Sequence, residues 1–119
     1  MIIKHADMQV TPETNFAGGQ GVTTFTELVP LELLRDEAKL FKHVTIDVGA
    51  SIGPHSHVDN YEVYYILSGQ GEVDDNGTPV SVEPGDVVYT ADGATHSLTN
   101  TGDVPIEMVA VIIYENKGK

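Results

Sequence analysis

Turn signals interrupt this chain every few residues, a spacing that admits short strands and leaves no room for a long amphipathic helix. Residues 40–48 alternate, with Val44, Ile46 and Val48 in phase on a predicted inward face, and residues 49–54 then turn the chain. Asn76-Gly77 is a strong tight-hairpin signal between the short runs 71–73 and 80–82. Pro84-Gly85-Asp86 marks another turn before a strand at 87–90, and residues 91–94 bend the chain into 95–99. Residues 106–114 are almost wholly apolar, which predicts a last strand buried on both faces. The pattern is that of an all-β sandwich or closed barrel.

Chemistry concentrates on a few positions of that framework. His55 and His57 are two residues apart, so on an extended strand both side chains leave one face, whereas a helix would separate them by about 200°. Glu62 opens a β-branched and aromatic run that ends at Ser68-Gly69, and His96 follows far downstream. Three imidazoles and a carboxylate are a ready set of ligands for one divalent metal, which would join two neighbouring strands. A histidine pair on a solvated edge and an exposed glutamate are the plainer alternative for each residue alone, and only their combined context raises the metal reading. With no thiolate in the set, Mn, Fe, Ni, Co, Cu and Zn all remain open. Four protein ligands on an ion that prefers six leave positions free, as a catalytic metal needs.

Composition bounds the alternatives. The 119 residues suit one domain, and the absence of cysteine excludes disulfides and thiol catalysis. No stretch has the length of a signal h-region or a membrane span, so a cytoplasmic protein is the expectation. A net charge of -12 argues against nucleic acid. Between Lys42 and Lys117 there is no lysine or arginine, which disfavours phosphorylated substrates while leaving a carboxylate or enolate free to bind the metal directly.

Residues 1–39 read as an N-terminal strand and connecting segment packed on a barrel formed by residues 40–119, all in one structural domain. The Gly-rich stretch 16–21 lacks the Lys-Ser/Thr of a P-loop and is most simply a turn. Residues 22–28 are a candidate edge strand, and residues 30–40 a short helix or ordered loop. Alternation puts Tyr64 and Ile66 on the face of Glu62, and Leu98 on that of His96, as candidate pocket residues. Lys42 shares the parity of Val44 and Ile46; pointing inward it would orient an anionic substrate, and otherwise it is an exposed lysine. His43 has the opposite parity and is not a candidate ligand.

Written as spacings, the two segments are Gly49-x5-His55-x-His57-x4-Glu62-x6-Gly69 and Gly85-x5-Ala91-x-Gly93-x2-His96-x3-Asn100. Over residues 40–114 the chain resembles the cupin superfamily, small double-stranded β-helix barrels of the jelly-roll type. The resemblance implies one divalent metal per chain on His55, His57, Glu62 and His96. It departs from the family pattern at Ala91, usually a proline; this removes a constraint on φ but no ligand atom. Two functions fit: a metal-dependent enzyme acting on a small carboxylate, diketone or enediol, dioxygenase-like or oxalate-degrading, or a non-catalytic small-molecule-binding or regulatory module. Likeness to small cupins, together with an edge strand at 22–28, predicts a homodimer.

Overall fold

The computed structural model of the chain describes residues 1–115. Ten strands form in chain order: β1 Val10–Thr14, β2 Val22–Glu27, β3 Ala38–Ile46, β4 Ser51–Ser56, β5 Asn60–Ser68, β6 Gly71–Asp75, β7 Thr78–Val82, β8 Val87–Thr90, β9 Thr95–Asn100 and β10 Ile106–Tyr114. They make a six-stranded sheet, β1-β2-β3-β10-β5-β8, and a four-stranded sheet, β4-β9-β6-β7. Every pairing is antiparallel. One core fills the space between them, with Val44, Ile46, Ile66 and Met108 from the large sheet meeting Ile52, Val73 and Leu98 from the small one. This is the expected all-β double-stranded β-helix. No helix of the described residues is long and apolar enough to cross a membrane.

The local signals act as their chemistry dictates. Asn76 and Gly77 both take positive φ, 50° and 98°, the backbone that a two-residue hairpin needs to match strand twist, and they join β6 to β7. Residues 30–40 hold only a 3-10 turn, Leu31–Leu34, before β3 begins at Ala38.

Three expectations are corrected. Val48 is not inward but 53% exposed, because β3 ends at Ile46 and a turn follows in which the Ala50 N–H donates to the Asp47 carbonyl at 2.9 Å. β2 is not an edge, because β1 pairs with it from Val10↔Thr26 to Thr14↔Val22 and takes the outer position, where Pro12 is tolerated. β10 is buried on one face only: Ile106, Met108, Ala110 and Ile112 are inward, while Val109, Val111 and Ile113 are half-buried on the outside of the sheet.

That outer face is apolar across four strands. Register aligns Tyr89, Val63, Val111 and Phe41 in one row and Val87, Tyr65, Val109 and His43 in the next. The outward positions of the small sheet are polar instead, among them Glu72, Asp74, Ser97 and Thr99. A sheet with one solvated face ordinarily alternates apolar and polar, so the large sheet is the anomalous one.

Asn100 holds the far end of the barrel together. Its side-chain amide donates to the carbonyls of Ile46 at 3.0 Å, Asp47 at 3.2 Å and Val104 at 2.9 Å, and its oxygen accepts the Gly102 N–H at 2.9 Å. The residue is 4% exposed, so truncation strands several backbone groups away from water. Asn100→Ala is expected to lower unfolding free energy by about 2–4 kcal/mol in urea titration, with cooperativity retained.

Candidate metal centre

The site forms where the two sheets meet. His55 lies near the end of β4 and His57 one residue beyond it; His96 faces His55 across the β4–β9 ladder. Glu62 and Tyr64 come from β5 in the other sheet. A shared ion would therefore tie one sheet to the other as well as join the neighbouring strands β4 and β9, because β5, which carries Glu62, pairs with β10 and β8 instead.

The four side chains converge closely. Glu62 Oε1 is 2.9 Å from Nε2 of both His57 and His96 and 3.4 Å from that of His55. His96 Nε2 is 2.8 Å from His55 Nε2 and 3.1 Å from His57 Nε2. All the ligand atoms lie within 4.8 Å of one another, a grouping able to hold one metal ion.

Each imidazole is oriented from behind. His55 Nδ1 meets the Gly53 carbonyl at 2.9 Å, His57 Nδ1 meets Asn60 Oδ1 at 2.8 Å, and His96 Nδ1 meets the Thr90 hydroxyl at 2.8 Å. A carbonyl oxygen only accepts, so Nδ1 of His55 and, by the same argument, of His57 carries the proton. Nε2 of each ring then faces the centre, able to donate to Glu62 as N–H or to bind a metal through its lone pair, and Thr90 can accept from His96 in the same way. This is the arrangement that fixes tautomer and ring direction in metal-binding histidines.

Electrostatics follow from burial and contact. Burial acts to raise the Glu62 carboxyl, but hydrogen bonds from His55, His57 and His96 together outweigh it and hold the group well below the usual carboxylate range. His57 is raised, chiefly by its hydrogen bond to Glu62 and against the effect of burial. His96 is lowered, burial being the largest cause. Burial above all pushes the Tyr64 phenol well above its ordinary value, so it stays a neutral donor. Its hydroxyl lies 3.5 Å from His96 Nε2, and the two rings stack with centroids 5.0 Å apart.

A cavity of about 300 Å³ opens onto this cluster. Tyr64 lines it, as alternation from Glu62 predicts. Ile66 and Leu98 do not; at 1% and 0% exposure they lie in the core beneath. Parity gives the face of a strand but not the depth along it. Lys42 is also absent from the wall, its Nζ lying 5.6 Å over the Phe25 ring. Lys39 lines the cavity instead.

The apolar wall that sequence reading missed is Phe16, Phe25, Leu40, Ile52 and Met108. Phe16 belongs to the Gly-rich stretch, where the 3-10 turn Phe16–Gly18 docks against β4. That docking requires two glycines: a Cβ on Gly53 would lie 2.1 Å from the Ala17 carbonyl oxygen, and one on Gly19 2.2 Å from that of Ser51. The glycines were visible as a signal, but their partner across the chain was not. The turn at Ala91 forms without proline, because Gly93 N–H donates to the His57 carbonyl at 2.8 Å and His57 N–H to that of Ala94 at 3.1 Å.

A family model described as a cupin domain matches residues 42–112. The chain belongs to the cupin family. Its similarity to one relative extends beyond that domain: it is 38% identical to the oxalate-binding protein of Thermotoga maritima over 95% of this chain and 93% of that one. The crystal structure of a predicted oxalate decarboxylase from Thermotoga maritima superposes with a TM-score of 0.91 at 36% identity, covering 96% of this cupin and 99% of that chain. A polyketide cyclase from Streptomyces resistomycificus, 18% identical with a TM-score of 0.76 over 95% of this chain and 78% of its own, shares the fold.

Because a Cβ at Gly53 has no space against the Ala17 backbone, Gly53→Ala should displace the turn that carries Phe16. The expected cost is about 1–3 kcal/mol in chemical denaturation, as for other overpacked sites.

Proposed function

We propose that this cupin holds one divalent first-row transition metal on His55, His57, Glu62 and His96, and that it binds there a small carboxylate of the oxalate type. The observation that carries this reading is the approach of three Nε2 atoms and a carboxylate oxygen to 2.8–3.4 Å with Nδ1 engaged behind each ring. Such a cluster holds together only with a proton or a metal ion among the converging nitrogens and the carboxylate, and a metal ion can take all four donors at once. Nitrogen and oxygen donors without sulfur suit Mn, Fe, Co, Ni, Cu or Zn. Bound there, such an ion supplies a Lewis-acid centre for the oxygens of a ligand.

The chain's own residues supply the rest. The apolar walls of the cavity exclude water around a compact ligand, and the neutral Tyr64 hydroxyl can donate a hydrogen bond to it. The relative named an oxalate-binding protein supports a small carboxylate as the ligand class. Turnover of the bound molecule is the second reading, favoured by the same hydroxyl, which stands beside the cluster as a hydrogen-bond donor to charge that develops on the ligand. Product analysis and oxygen consumption with oxalate and related small carboxylates separate binding from turnover.

Metal occupancy tests the ligand set directly. With a chelator present, lowering pH from about 8 to about 5 should release the ion progressively, because protons compete for the imidazole nitrogens. His57→Ala should bring that loss to neutral pH in a folded barrel. Metal content unchanged in the variant would refute the assignment.

Assembly as a homodimer through the outer face of the six-stranded sheet belongs to the same proposal. The face spans roughly 20 Å by 20 Å from strand spacing and rise, which suits the apolar centre of an interface burying about 800 Å² per partner. Its acid, Glu107, bonds the Thr45 hydroxyl and lies 3.7 Å from His43. In a chain of net charge -12, this is the surface on which two copies can meet with least repulsion. Light scattering at micromolar concentration should give twice 12.8 kDa, falling to the monomer in Val109→Asp. A monomeric wild type would overturn the assembly.

A further inference from the structure

The expected order of side chains along β3 is broken at one residue. Its register against β10 passes from Leu40↔Ile112 to Ala38↔Ile113, leaving Lys39 without a partner of its own. This is a β-bulge, in which two consecutive residues oppose one and turn to the same side. Lys39 thus joins Leu40 and Ile112 on the cavity wall, although strict alternation would send it outward with Phe41 and His43. Bulges recur beside functional sites because they re-aim one side chain without disturbing the rest of a strand.

The cavity's charges make that re-aiming consequential. Of the described residues that line it, Lys39 is the one lysine or arginine and Glu62 the one aspartate or glutamate. Lys42 is set over Phe25, and from residue 43 to residue 116 the sequence has no other lysine or arginine to offer. A divalent ion beside ionised Glu62 leaves one net positive charge, which a monoanion balances. A dianion leaves one negative charge uncompensated against apolar walls, at a substantial desolvation cost.

We propose that Lys39, re-aimed by the bulge, is the counter-charge that makes the cavity selective for dianions, pairing with the carboxylate charge that the centre leaves unbalanced. The proposal rests on the metal-dependent carboxylate reading above and adds to it a specificity residue. Lys39 is exposed, so its ammonium remains hydrated until a ligand arrives, and it takes part in none of the ion pairs among the described residues.

The test compares oxalate with oxamate, which keeps the skeleton and replaces one carboxylate by an uncharged amide. Calorimetric titration of the metal-loaded full chain is run for wild type, Lys39→Met and Lys39→Arg, with metal content measured for each. In Lys39→Met the Kd for oxalate should rise about tenfold, as expected for loss of a charge-assisted contact at a partly hydrated site, while that for oxamate changes less than about twofold. Lys39→Arg should retain most of the oxalate affinity. Equal changes for both ligands, no change for oxalate, or loss of the ion in Lys39→Met would overturn the role of Lys39 and leave the carboxylate reading standing. A metal-loaded wild type that binds neither ligand would overturn both.

Discussion

Everything distinctive about this barrel depends on one buried carboxylate. Glu62 is 4% exposed, and a charge so placed is costly unless it is paired and hydrogen-bonded. Its partners are three imidazoles from the opposite sheet, two of them at 2.9 Å. The two sheets are thus coupled by polar contact at the same end where the cavity opens, by apolar packing through Val44, Ile52, Leu98 and Met108, and at the far end by Asn100.

The imidazoles can play that part because each is held by a different piece of backbone or side chain. Gly53 serves twice: its carbonyl accepts from His55, and its missing side chain admits the turn that brings Phe16 to the cavity. His57 is fixed by Asn60 through its ring and by the turn at residues 91–94 through its backbone. Orientation of the metal-binding atoms and closure of the apolar wall therefore share the same short segment, so disturbance of one reaches the other.

Charge is distributed with comparable economy. The chain is strongly acidic, yet among the described residues acids are nearly absent from two places, the cavity and the outer face of the large sheet. In the first, the ionised Glu62 is hydrogen-bonded within its own cluster and Lys39 lines the same wall. In the second, rows of valine and tyrosine replace the polar residues that cover the outside of the small sheet.

Much of this was legible in the sequence. Alternation and turn chemistry are local, so the strands, the Asn76-Gly77 hairpin and the position of Tyr64 beside Glu62 could be read from neighbours in the chain. Spacing likewise put His55 and His57 on one face, and the resemblance to cupins added Glu62 and His96 to complete the four side chains that meet. What the sequence by itself could not determine was anything that requires knowing which strand lies beside which. β1 covers β2 and takes the edge; Ile66 and Leu98 share the right face but lie too deep; Val48 falls in a turn. Lys39 rather than Lys42 reaches the cavity, because a bulge changes the parity that spacing assumes. The physical reason is common to all of these: periodicity reports the direction of a side chain about its own strand, whereas depth, edge position and register are set by contacts between residues far apart in the chain.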